Sequence, residues 1–95
     1  MVDVGFIANS LVQDAPERYE ALVNSCKEYG SALVGSHSGW WQGDVRETYR
    51  EMLRQVRLYN GWASSRGLPA VQTDAHEVDA FSDVLLRYVW NNRPK

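Results

Sequence analysis

Apolar residues recur at intervals of three and four along most of this chain, which is the spacing of one helix face. Three long stretches show it: Tyr19, Leu22, Cys26, Tyr29 and Leu33; Val45, Tyr49, Met52, Val56, Tyr59 and Ala63; and Val78, Phe81, Leu85 and Tyr88. A shorter stretch near the start has the same spacing: Val4, Ile7, Ala8, Leu11 and Val12. The pattern predicts helices over about residues 4–13, 15–34, 45–65 and 75–91.

The predicted starts of the three long helices share one signature, an aspartate followed three positions later by a glutamate. The pairs are Asp14 and Glu17, Asp44 and Glu47, and Asp74 and Glu77. Each aspartate can accept a hydrogen bond from a free N–H of the first helical turn, and the glutamate can reach back to it. We expect all three aspartates to cap helices, with Pro16 in the first turn of the second.

Glycine and proline divide the helices. Gly35, Gly39 and Gly43 predict a break between the second and third helices, and Arg66-Gly67-Leu68-Pro69 predicts the end of the third. The fold class is therefore all-α: a small up-down-up three-helix bundle, with which a short N-terminal fourth helix is compatible. A chain of 95 residues makes this a single domain over residues 1–95.

Composition narrows the function classes. The net charge of −2 argues weakly against unspecific binding to nucleic acid or membranes. No apolar run approaches the ~20 residues of a membrane span, and residues 1–13 lack the basic start of a cleaved signal peptide. We expect a protein that is cytoplasmic, or exported without a cleaved signal peptide, and that does not span a membrane.

No pattern in the chain indicates catalysis, a metal site or a cofactor. Cys26 is the only cysteine and lies on an apolar face, which favours a buried structural thiol. His37 and His76 stand alone, without a second ligand at metal-binding spacing. We therefore expect a protein that is not an enzyme, with no cofactor.

Two apolar features are candidate partner-binding sites. Trp40 and Trp41, in the glycine-rich segment that ends at Gly43, cannot both point into one core. They either contact a partner or cover the end of the bundle. Leu58 and Trp62 lie off the main apolar face of the third helix, where a partner or the N-terminal segment could cover them.

A basic feature lies on the other side of the third helix. We call Arg46, Arg50, Arg54 and Arg57 the arginine face. It could contact the phosphates of nucleic acid or an acidic partner. Alternatively it is solvated, with Glu47 and Glu51 paired to Arg50 and Arg54.

The segment Trp41-Gln42-Gly43, followed by Glu47 and Tyr49, resembles the Trp-x-Gly turn of the WXG100 family. Members of that family are helical hairpins of about this length that pair into four-helix dimers and leave the cell through type VII secretion. The resemblance implies an exported dimer, with the tryptophan turn between two helices.

A second resemblance covers about twenty residues further along. Trp62-Ala-Ser-Ser-Arg66-Gly67-Leu68-Pro69, then Thr73-Asp74 and Val78-Asp79-Ala80-Phe81, resembles the core-binding region of tyrosine recombinases. It implies a small DNA-binding module without chemistry. The sequence thus favours a non-catalytic helical protein–protein interaction module, whose partner is another protein chain or a second copy, with DNA binding as the alternative.

Overall fold

The computed structural model describes residues 3–39 and 43–92, and every regular element within those ranges is an α-helix. The helices are α1 (Val4–Asp14), α2 (Pro16–Ser38), α3 (Val45–Arg66) and α4 (Ala75–Asn91). The all-α prediction is confirmed, and the short N-terminal helix is present. Trp40 and Trp41 lie outside the described residues.

The end of α2 differs from the prediction, which stopped this helix near residue 34. Gly35 is buried inside α2, and the helix continues to Ser38. Gly39 then ends it with a φ of 82°, a left-handed conformation that glycine adopts without steric cost. A glycine within a helix costs only about 1 kcal/mol relative to alanine, so tertiary packing outweighs its effect at position 35.

The core forms where α2 pairs with α3, while α1 and α4 pack on α2 and on each other. The rings of Tyr29 and Tyr49 meet edge to face across the α2–α3 pair, with centroids 5.5 Å apart. The buried cluster draws on all four helices and on the loop before α4: Val4, Ile7, Ala8, Leu11, Leu22, Val23, Cys26, Met52, Val56, Tyr59, Ala63, Val71, Val78, Phe81 and Leu85.

One predicted core residue of α2 is wrong. Leu33 is 38% exposed, whereas Ala32 is fully buried and Gly35 is buried one turn later. The inward face of α2 beyond Tyr29 therefore carries two small residues, Ala32 and Gly35. The prediction used only the spacing of apolar residues and not their size, so it assigned Leu33 to the core instead of Ala32.

The chain returns along α3 after that helix ends. Gly67 ends α3 in a left-handed conformation with a φ of 70°. The Asn60 side chain then donates to the carbonyl of Val71 and accepts from its N–H, both at 2.8 Å. The Tyr59 hydroxyl donates to the carbonyl of Pro69 at 2.7 Å. These three bonds hold the loop against α3 and determine where α4 begins.

Two of the three predicted aspartate caps are confirmed. Asp44 accepts from the N–H of Arg46 at 2.9 Å, and Asp74 accepts from the N–H of Glu77 at 3.1 Å. Within the described residues, neither Glu47 nor Glu77 reaches back to the N–H of its aspartate.

The prediction for Asp14 is wrong, because this residue is the last one of α1. Ala15 alone links α1 to α2, and the start of α2 has no side-chain cap. Asp14 instead pairs with Arg66 at the end of α3, at 3.4 Å. A one-residue link leaves no extended position for an aspartate cap. Asp3, which the pattern did not single out, caps α1 by accepting from the N–H of Phe6.

We expect Asp44→Ala and Asp74→Ala each to lower the free energy of unfolding by about 0.5–2 kcal/mol, since each removes a helix cap. Asp14→Ala should cost less, at most about 1 kcal/mol, because it removes only an exposed ion pair. Urea unfolding of the three variants measures the difference. A cost for Asp14→Ala clearly above about 1 kcal/mol would contradict the assignment of Ala15 as the uncapped start of α2.

Candidate protein-contact surface

The α2–α3 turn carries an acidic groove. The groove encloses about 390 Å³ and is lined by Ser25, Glu28, Gly43, Asp44, Glu47, Thr48 and Glu51. Both hydroxyl groups donate within their own helix, Ser25 to the Leu22 carbonyl and Thr48 to the Val45 carbonyl. Gly43 is exposed at the edge of this groove. It is the only predicted residue of the tryptophan turn that the structure describes.

Leu58 and Trp62 lie one turn apart on α3, as predicted, but their environments differ. Leu58 is 42% exposed, whereas Trp62 is half-buried. The ring centroids of Trp62 and Tyr59 are 6.1 Å apart. On the ring of Trp62, the Arg66 guanidinium carbon lies 5.0 Å from the centroid. Trp62 is thus held between a core tyrosine and a surface cation.

The α1–α2 junction lies next to Trp62. A depression of about 420 Å³ is lined by Trp62 together with Asp14, Ala15, Pro16, Glu17 and Arg18. Arg66, whose guanidinium lies over the Trp62 ring, also pairs with Asp14 of this junction at 3.4 Å. Trp62 thus lies beside the N-terminal segment, whereas Leu58 does not line this depression.

Gly61 is a feature of this surface that the sequence analysis missed. It is exposed, its φ is negative, and a Cβ added there would meet nothing within 4 Å. Within the described chain, Gly61 lies in no turn, and no other part of the chain comes close enough to its backbone to require a glycine. Together with its neighbours at helical spacing it forms what we call the α3 surface: Leu58, Gly61, Trp62 and Ser65. The sequence feature that could have identified this surface is a glycine in the middle of a helix, at helical spacing from Leu58 and Ser65.

The arginine face is exposed, and half of it is paired. Arg54 makes two hydrogen bonds to Glu51, at 2.7 and 2.9 Å, and these bonds, together with one from the Gln55 amide, lower the pKa of Glu51 to about 2. Arg46 lies 3.4 Å from Asp44. The predicted pairing of Glu51 with Arg54 is confirmed. Within the described residues, Arg50 and Arg57 have no ion pair, so the predicted Glu47–Arg50 pair is wrong.

Further exposed apolar side chains occur on the other helices. They are Phe6 and Val12 on α1, Leu33 and Val34 on α2, and Trp90 on α4. Val34 is 61% exposed, more than Leu58. Exposure alone therefore does not single out the α3 surface. What distinguishes it is the alignment of Leu58 with an anchored tryptophan and an open glycine on one helix.

The groups that could take part in covalent or metal chemistry are placed as follows. Cys26 is fully buried, and burial raises the pKa of its thiol. A raised pKa keeps the thiol protonated and a poor nucleophile. His37 and His76 are exposed. Over residues 3–39 and 43–92, no group of three or more histidine, cysteine or carboxylate side chains is arranged to hold a metal ion.

To cross a bilayer, a helix of the described ranges would need about 20 predominantly apolar residues. None of the four is both long enough and apolar enough to cross a membrane.

Comparisons with protein-family models, with curated proteins and with solved structures find no match to this chain. The similarities to the WXG100 family and to the tyrosine recombinases therefore stay predictions from short motifs.

Proposed function

We propose that this chain is a non-catalytic helical interaction module that associates with another copy of itself through the exposed part of α3. The observation that carries the proposal is Leu58, which is 42% exposed beside the anchored ring of Trp62. An aromatic ring already fixed by its neighbours loses little side-chain freedom when a partner covers it. Rigid aromatic anchors of this kind supply much of the binding energy at protein interfaces.

The packing of the other helices limits where a second copy can dock. In the WXG100 family, two helical hairpins pair as four helices. Here α1 and α4 already pack on α2, one of the two hairpin helices. For a second copy that pairs with this hairpin, the free side of α3, where Leu58 lies, is available.

An exported WXG100-like dimer is the more specific form of this proposal. The unbroken run of α2 to Ser38 and the start of α3 at Val45 support it. They leave Trp41-Gln42-Gly43 between two long helices, as the family motif requires. The division of the second arm into α3 and α4 departs from the long second helix of that family.

Leu58→Ala should weaken self-association by roughly tenfold, because a symmetric dimer then lacks the leucine side chain of both copies. The apolar origin of the interaction predicts little change in this effect between low and moderate salt. Sedimentation equilibrium of the wild type and the variant gives the two dissociation constants.

Val34→Ala is the matched control, since it removes exposed apolar atoms from α2 instead. It should leave the dissociation constant unchanged. A wild type that stays monomeric at every concentration and salt would overturn the proposed function. If the two substitutions weakened association equally, the proposal that the interface lies on α3 would be wrong.

A small DNA-binding module is the second candidate, and the two unpaired arginines favour it. Arg50 and Arg57 are exposed on α3 and have no ion pair within the described residues. Guanidinium groups in that state are free to contact phosphates. The position of Trp62 near the end of α3, before Gly67, also suits the recombinase-like segment.

Under this alternative, Arg50→Ala combined with Arg57→Ala should reduce affinity for duplex DNA. The slope of log K against log salt should also flatten by about 0.9 for each phosphate that the variant no longer neutralises. A fluorescence-anisotropy titration at several salt concentrations measures both effects. Lys27→Ala with Arg87→Ala removes the same charge from α2 and α4 and serves as the control. DNA binding that is absent, or equally reduced by the control pair, would exclude the alternative.

A further inference from the structure

Asn60 is followed directly by Gly61, and this is the one Asn-Gly pair in the chain. An asparagine side chain is chemically labile in this setting, because the next backbone nitrogen can attack the side-chain amide and glycine has no Cβ to hinder the approach. The pair lies in the interior of α3, more than one turn from either end. The conformation of α3 therefore controls whether this reaction can occur.

The reaction needs no reagent besides water. The backbone nitrogen of Gly61 forms a bond to Cγ of Asn60, and the bond from Cγ to the side-chain nitrogen breaks. The proton of the Gly61 nitrogen leaves with the side-chain NH2 group as ammonia. Water then opens the resulting succinimide ring at either carbonyl, which leaves aspartate or isoaspartate at position 60.

The native structure opposes this attack in two ways. A helical ψ of about −42° keeps the next nitrogen out of position for attack, and inside a helix that nitrogen donates its hydrogen to the carbonyl four residues earlier. The Asn60 amide is itself fixed, since its nitrogen donates to the Val71 carbonyl and its oxygen accepts from the Val71 N–H, both at 2.8 Å. Attack therefore requires α3 to open around position 60.

The product no longer matches the loop. Val71 presents one donor and one acceptor to position 60, and the asparagine amide pairs with both. An ionised aspartate has acceptor oxygens only, so the oxygen that replaces the amide nitrogen faces the Val71 carbonyl oxygen. Isoaspartate in addition lengthens the backbone of α3 by one carbon. Either product removes a bond that holds the buried Val71 in place.

We propose that Asn60 is a deamidation site which the folded helix protects and the opened chain exposes, and that its conversion weakens the closure of the loop before α4. Local opening of a helix is a normal fluctuation of a small domain. Here it exposes a residue whose conversion is irreversible and makes the next opening more frequent. The inference is independent of self-association, because it concerns bonds within a single chain.

Peptide mapping by mass spectrometry tests the protection. The protein is kept in mildly alkaline buffer, with and without enough urea to unfold it, and aspartate and isoaspartate at position 60 are followed with time. Conversion in the folded protein should be slower by at least about tenfold, because only the open fraction of molecules reacts. Equal rates of conversion with and without urea would overturn the inference.

Gly61→Ala is the matched control. It keeps Asn60 and its bonds to Val71, and a Cβ at position 61 would meet nothing within 4 Å. The melting temperature should not fall, since alanine favours a helix over glycine. Conversion in urea should be much slower, because the added methyl group hinders the attack. A variant that converts as fast as the wild type in urea would contradict attack by the nitrogen of residue 61.

Asn60→Asp tests the consequence for the loop. The equilibrium constant of unfolding should rise by roughly tenfold or more, since the Val71 carbonyl is left without its donor. Urea unfolding measures the change. A variant as stable as the wild type would overturn the effect on loop closure.

Refolding of the aged wild type gives a second readout that does not depend on this variant. Chains left in urea until about half are converted are returned to buffer, and folded and unfolded fractions are separated by size exclusion. Converted chains should be enriched in the unfolded fraction. The same proportion of converted chains in both fractions would overturn the inference.

Discussion

The side chain of Asn60 determines how the last third of the chain meets the first. Its two hydrogen bonds to the backbone of Val71, with the bond from Tyr59 to Pro69, fold the loop back along α3. Val71 is thereby buried in the common core, and α4 starts at Ala75 in position to pack on α2 and α1. Without this return, the buried face of α4 around Phe81 and Leu85 would have no defined partner.

The same arrangement explains why α3 keeps a free side. Its inner residues, from Met52 to Ala63, are covered by the core. Because α1 and α4 both pack on α2, Leu58 on the outer side of α3 stays 42% exposed, whereas Trp62, next to the α1–α2 junction, is half-buried. Tyr59 links the two sides: its ring supports Trp62, while its hydroxyl holds the loop. Burial raises the pKa of Tyr59 to about 12, so that hydroxyl keeps its proton at neutral pH.

The buried faces of α3 and α4 could be predicted from the sequence because apolar spacing is a local signal. The caps at Asp44 and Asp74 were predictable for the same reason. The errors lie where tertiary packing outweighs local preference. Asp14 has a capping pattern, yet it ends α1 and pairs with Arg66, far away in sequence. Gly35 is tolerated inside α2 because this part of the helix is still buried against the rest of the bundle.

The candidate surface was predictable only in part. Leu58 and Trp62 were identified because they lie off the main apolar face of their helix. That the α1–α2 junction lies beside Trp62 and not beside Leu58 depends on a one-residue link at Ala15, which no local pattern specifies. Gly61 could not be identified from the sequence, because a single glycine within a helix indicates nothing until the structure shows that no atom lies near it.

The central claim is that the free side of α3 is where two copies meet. A dilution series followed by methyl and indole NMR tests it most directly in the unmodified protein. We predict that the Leu58 methyl signals and the Trp62 indole N–H signal shift with concentration, while the Val34 methyl signals stay constant. Concentration-dependent shifts at Val34 with constant signals at Leu58 would contradict the account.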